Sequence, residues 1–148
     1  MPRRKMQPRW LIRPLTLALC ALALSLGDLS AQKQSPPHEQ ARVLLQAFSF
    51  DRALPNRDSD GIVIAVLYAN DTSEADAMRL AFEELGANGV QGLPVTAIAI
   101  GFQNISALIE EFEAEGVTAV YVPENLAPAL SSIQQVTRAL GLPSLGSG

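Results

Sequence analysis

Cysteine is almost missing from this chain of 148 residues: there is one, Cys20. Histidine is as scarce, with His38 alone, and beyond residue 31 the only lysine is Lys33. Each scarcity removes a chemistry. One histidine cannot build a multi-histidine metal site, and one placed among Pro36, Pro37 and Glu39 is expected to be solvated, so no histidine-based triad is foreseen. Residues 32–148 offer no thiol nucleophile and no disulfide. With Lys33 outside the folded part, neither a Schiff base nor a phosphate-binding lysine is foreseen within it. No Gly-x-Gly-x-x-Gly follows the first strand, which argues against a dinucleotide site. A phosphoacceptor receiver needs acids after that strand, but Asp58 and Asp60 precede it. Glu110, Glu111, Glu113 and Glu115 read as a solvated helix face rather than a cation site. No catalytic residue, metal ligand or cofactor is therefore expected.

What is present begins with the N-terminus. Residues 1–13 carry Arg3, Arg4, Lys5, Arg9 and Arg13 without an acid, residues 15–26 are an uncharged apolar run, and Ser30 and Ala31 follow. That is the order of a secretory signal peptide, expected to be cut after Ala31. The apolar run is too short for a bilayer, which takes about 20 residues. Cleavage would remove five of the eleven basic residues and one of the fifteen acids, leaving six against fourteen and a net charge of −8. Such a surface disfavours nucleic acid and anionic membranes. Export, a periplasmic location and no stable membrane insertion are the expectation.

Residues 32–40 read as a linker with Pro36-Pro37. From Ala41 to Phe50, Val43, Leu44, Ala47, Phe48 and Phe50 can share one broad helix face. Phe48 and Phe50 are expected to pack that helix on the sheet; residues 51–54 extend it and Pro55 ends it. Ile62 to Tyr68 is uncharged and rich in β-branched residues, as in a strand buried on both faces. A second helix opens at Asp71-Thr-Ser73, exposes acids in its first turn, buries Met78, Leu80, Ala81, Phe82 and Leu85, and stops at Gly86. Strand two runs from Pro94 to Ile100. Helix three opens at Gln103 or Asn104, buries Ile105, Leu108, Ile109 and Phe112, and is capped by Gly116. Strand three is Val117 to Val122, and a fourth helix runs from about Leu126 to Leu140. This alternation predicts an α/β fold, a parallel sheet with helices on both faces in three layers, with an N-terminal helix before the first strand.

In open α/β sheets, ligands lie beyond the carboxyl ends of the strands. Those ends hold Asn70, Thr72, Phe102, Gln103 and Asn125, a candidate surface for a polar ligand or a partner. The same residue types also serve as helix caps.

The run Ala41-Arg-Val-Leu-Leu-Gln-Ala-Phe-Ser-Phe-Asp-Arg-Ala-Leu-Pro55, followed by Ile62-Val-Ile-Ala-Val-Leu-Tyr68 and Val117-Thr-Ala-Val-Tyr-Val122, resembles the YfiR-like periplasmic proteins. The resemblance covers residues 41–148. It implies a small, non-enzymatic α/β domain that engages the periplasmic part of a membrane signalling protein such as a diguanylate cyclase. It also implies further strand and helix beyond Gly148, so that Leu142-Pro-Ser-Leu145 would start a strand left incomplete and an inner strand would keep an open edge, favouring homo-oligomers. The family's periplasmic cysteines have no counterpart here. The alternative function is a single-lobe solute-binding module of a transport system, since receptor lobes share the βα alternation.

Overall fold

The computed structural model describes residues 36–146, which belong to the compact unit that begins at Ser35. The expected leader, its expected cleavage point and the first residues of the expected linker lie outside the described residues. Ten elements follow in order: α1 (Pro37–Phe50), α2 (Leu54–Arg57), β1 (Ile62–Tyr68), α3 (Ser73–Leu85), β2 (Val95–Gly101), α4 (Ile105–Glu115), β3 (Ala119–Val122), a 3-10 turn (Glu124–Ala129), α5 (Leu130–Ala139) and β4 (Ser144–Gly146). The four strands form one parallel sheet in the order β2-β1-β3-β4.

Strand β1 alternates between the two faces and so sorts the helices. Ile62, Ile64 and Val66 join a core made with α1 and α3, through Ala41, Leu45, Phe48, Met78, Ala81 and Phe82. Ala65 and Leu67 point the other way, into a core with Leu108 and Phe112 of α4 and Ile133 and Val136 of α5. This is the expected three-layer α/β/α arrangement, with β1 buried on both sides. The first connection, through α3, covers one face; those through α4 and α5 cover the other.

Several boundaries differ from the sequence expectation. The linker ends earlier, because Pro37 sits in the first helical turn, where its missing N–H costs nothing. The backbone N–H groups of Glu39 and Gln40 donate to the Pro36 carbonyl at 2.9 and 3.2 Å. Residues 51–54 do not extend α1. Asp51 turns to extended backbone, and its carboxylate accepts the N–H of Ala53 at 3.0 Å, an Asx turn that breaks the helix. Pro55 accordingly lies in the first turn of α2 instead of ending α1. The buried stripe of α1 is also narrower than its apolar content. Ala41, Leu45 and Phe48 pack inward, while Val43 and Phe50 are 65% and 75% exposed. Phe50 therefore does not pack on the sheet: α1 rests on α3, and one helix surface offers a thinner seam than a sheet does. Leu80 of α3 faces outward for the same reason of phase, since Met78, Ala81 and Phe82 define the buried side. On α4, Leu108 and Phe112 are buried, whereas Ile105 at its start is exposed.

The expected fourth helix is two elements, a 3-10 turn containing Pro128 and then α5. Leu142-Pro-Ser-Leu145 does supply a strand. Ser144, Leu145 and Gly146 pair with Val120, Tyr121 and Val122, so β3 has neighbours on both sides, and the inner strands β1 and β3 are both paired along each edge. Helix α4 closes as expected at Gly116, whose φ of 62° is the left-handed conformation that glycine adopts without a Cβ clash.

Candidate functional site

The strand order gives the carboxyl ends a particular geometry. β1 and β3 are neighbours, but the chain leaving β1 crosses one face through α3, and the chain leaving β3 crosses the other through the 3-10 turn and α5. Adjacent strands whose connections part in this way leave a crevice at their carboxyl ends, the usual ligand position in open α/β sheets.

On the β1 side, Ala69 and Asn70 lead from the strand into α3, and Asn70, Asp71 and Thr72 are exposed. Asp71 is already engaged: its carboxylate accepts the N–H of Ser73 at 2.9 Å. That backbone hydrogen bond, and a second from the Ser73 hydroxyl, hold the Asp71 carboxyl below the ordinary carboxylate range. A lowered folded-state pKa stabilises the fold at pH values above the unfolded pKa, and the contribution disappears as pH falls through the folded one. Thr72 precedes α3 and its carbonyl accepts the N–H of Asp76 at 2.7 Å, but its hydroxyl makes no capping bond. On the β3 side, Pro123 continues in extended conformation and the Leu126 N–H returns to its carbonyl at 3.0 Å. That turn exposes Glu124 and Asn125.

The structure thus sets Asn70 and Thr72 on one flank of the β1–β3 boundary and Asn125 on the other. Phe102 and Gln103 follow β2, on the far side of β1. The Phe102 N–H donates to the Tyr68 carbonyl at 2.8 Å, which prolongs the β1–β2 ladder. The half-buried Phe102 side chain packs against the α4/α5 core. Gln103 is exposed, and the next residue is the cap: Asn104 Oδ1 accepts the N–H of Ala107 at 2.9 Å.

Tyr68 is a neighbour of this crest that sequence reasoning passed over. Its ring lies across the end of β2, so that a Cβ at Gly101 would sit 3.2 Å from the Tyr68 hydroxyl oxygen. The signal was an aromatic residue closing a buried strand, but its contact depends on the pairing of Tyr68 with Gly101. Gln91 was also missed. It occupies the turn before β2 with φ of 52°, and its side-chain amide donates to the carbonyls of Phe48 and Asp51, at 2.7 Å each. The end of α1 is thereby fastened to the α3–β2 connection. Tyr121 fastens its beginning, through a hydroxyl 2.6 Å from Gln40 Oε1.

Among the described residues, no group of three or more His, Cys, Asp or Glu side chains is placed to hold a metal ion, and no helix is long and apolar enough to cross a membrane.

Among solved structures, the chain is similar to the crystal structure of an ABC transporter substrate-binding protein from Desulfitobacterium hafniense in complex with Leu. The identity is 16%, the TM-score 0.47, and the match covers 74% of this chain and 31% of that one. The chain therefore spans less than a third of that protein's length. No family model and no curated protein matches the sequence.

Proposed function

We propose that this chain is an exported, non-enzymatic binding domain that takes a small polar molecule at the crest between β1 and β3. The observation that carries the reading is the parting of the two crossover connections at that crest. There, the amides of Asn70 and Asn125 and the hydroxyl of Thr72 supply hydrogen-bond donors and acceptors without a reactive group among them. In this role the domain acts as a single-lobe solute-binding module, and export follows from the basic-then-apolar order of residues 1–31.

The experiment is a thermal-shift series on the protein recovered from the periplasm, with free amino acids, simple sugars and dicarboxylates as probes. A probe at 100 times its dissociation constant stabilises the folded state by about 2.7 kcal/mol. The reading expects one probe class to raise the melting temperature, with the rise lost in Asn70→Ala and Asn125→Ala. No rise with any of the three classes contradicts it. N-terminal sequencing of the same sample checks export: a start near Gln32 agrees with it, and a start at Met1 does not.

A second reading has its own observation. Val43, Ala47 and Phe50 lie along the outer side of α1 and are all exposed. In that reading the domain is a regulatory protein that docks on the periplasmic part of a membrane signalling protein. Phe50→Ser would then abolish co-purification with the membrane partner and leave probe-induced stabilisation unchanged.

A further inference from the structure

Strand β2 forms one edge of the sheet. Ile62 donates its N–H to the Pro94 carbonyl and Phe102 to that of Tyr68, each at 2.8 Å. With Ile62 paired to Val95, the parallel ladder turns the even-numbered backbone groups of β2 toward β1. The N–H and C=O groups of Val95, Ala97, Ala99 and Gly101 therefore face outward, and among the described residues they have no partner. Natural edge strands are usually blunted by lysine, proline, a bulge or short length. This one is seven residues long with none of these within it. It is also the centre of a long uncharged stretch: residues 85–109 contain no Asp, Glu, Lys or Arg, in a chain that is 18% charged.

We propose that the β2 edge pairs with β2 of a second copy of this chain, antiparallel, about a two-fold axis at Ile98. The outward backbone groups belong to odd-numbered residues. A two-fold at an even residue sets odd against odd, as hydrogen-bonded pairs in an antiparallel ladder require. Ala97 then faces Ala99 of the second copy and Val95 faces Gly101, in four pairs making about eight backbone hydrogen bonds. On the α1/α3 face the inner pairs are alanine against alanine, and each outer pair sets Val95 against Gly101, beside the Tyr68 ring. On the other face Ile98 meets its own copy and Thr96 meets Ile100, and such apolar or β-branched cross-strand pairs favour the pairing. The charge pattern selects a second copy as the occupant. A symmetric contact near the axis sets each charge near its equal, and the rest of the domain is acidic: α4 carries Glu110, Glu111, Glu113 and Glu115, and α3 carries Glu74 beside Asp76 and Glu83, which pair with Arg79. The uncharged β2 edge is where two acidic copies approach without that repulsion. A partner chosen for opposite charge would seat on the acidic helices instead.

The test uses the full chain with Cys20→Ser, so that an introduced cysteine is the only one. Ile98→Cys lies on the proposed axis, where directly opposed Cα atoms in a non-hydrogen-bonded pair are about 4.5 Å apart, within the disulfide range. Thr96→Cys is the control, since four residues of strand separate it from its equivalent by about 13 Å. Mild oxidation is expected to give covalent dimer in Ile98→Cys at least about ten-fold faster than in Thr96→Cys. Light scattering at about 50 µM should give twice the chain mass, because association is set by concentration. Ile98→Lys should return the mass to one chain with an unchanged circular dichroism spectrum. A single-chain mass for the parent protein, equal cross-linking at both positions, or a dimer that survives Ile98→Lys overturns the proposal; so does a monomer that takes an unrelated extended peptide along β2.

Discussion

The two faces of the sheet are covered in different ways. Toward α1 and α3 the strands flanking β1 mix small and large side chains, Val95, Ala97 and Ala99 on β2 and Ala119 and Tyr121 on β3, and the helices add Met78 and Phe82. Toward α4 and α5 the strands themselves are bulky, with Ile98 and Ile100 on β2 and Val120 and Val122 on β3. The first face lets a helix come very close: at Gly86, just past α3, an added Cβ would lie 2.7 Å from that of Val95. It also carries a second helix, α1, held by directional bonds from Gln91 and Tyr121 as well as by its apolar seam. The second face relies on interlocking apolar groups. Directional bonds to a second helix layer thus distinguish the first face, and the crest between β1 and β3 lies where the connections to the two faces part.

Val66→Asp should break the comparison altogether. Val66 is fully buried, toward α3. An unpaired charge there costs several kcal/mol, comparable with the roughly 5–15 kcal/mol that holds a domain together. Circular dichroism should show loss of the fold, and a native-like spectrum would mean that β1 is not buried as described. Next comes one fully buried phenylalanine from each face, Phe82→Ala and Phe112→Ala. Each should cost about 3–5 kcal/mol in urea unfolding. Phe82 should lie higher in that range, since its ring meets Tyr121 edge to face at 6.1 Å, and such pairs add about 0.5–1.5 kcal/mol. Equal losses would erase the difference between the faces.

Gly86→Ala probes the close approach. Its backbone conformation suits any residue, so the cost is steric, about 1–3 kcal/mol as in other overpacked sites. A neutral melting temperature would show that α3 can withdraw. The smallest expected change is that of Gln91→Ala, about 1 kcal/mol. Its signature is local: amides of α1 should exchange with solvent faster while those of α4 and α5 stay protected. A uniform rise in exchange would mean that α1 is not a separately fastened element.

The sequence made some of this visible, and physical reasons mark the limit. Strands β1 and β2 were legible to within a residue because an uncharged β-branched run has few other uses. β3 begins two residues later than its apolar run, since Thr118 enters with its hydroxyl on the backbone of Val63. Helix α1 was legible as a helix but not in its buried face. Val43 and Phe50 are as apolar as Leu45 and Phe48, and only the partner surface decides which of them is covered. The candidate site was legible in kind, as polar residues at strand ends. That Asn70, Thr72 and Asn125 flank one boundary, while Phe102 and Gln103 lie beyond β1, depends on strand order, which alternation alone does not specify. Gln91 and Gln40 act across 43 and 81 residues of chain and leave no local pattern.

The central claim is that the crest where the two faces part is the binding surface. The direct measurement is an amide NMR titration with the probe that gives the largest thermal shift. The account predicts that the shifting amides are those of residues 69–73, Val122, Glu124 and Asn125, with α1 and the opposite ends of the strands unmoved. Shifts that centre on the outer side of α1, or at the amino ends of β1 and β3, would contradict it.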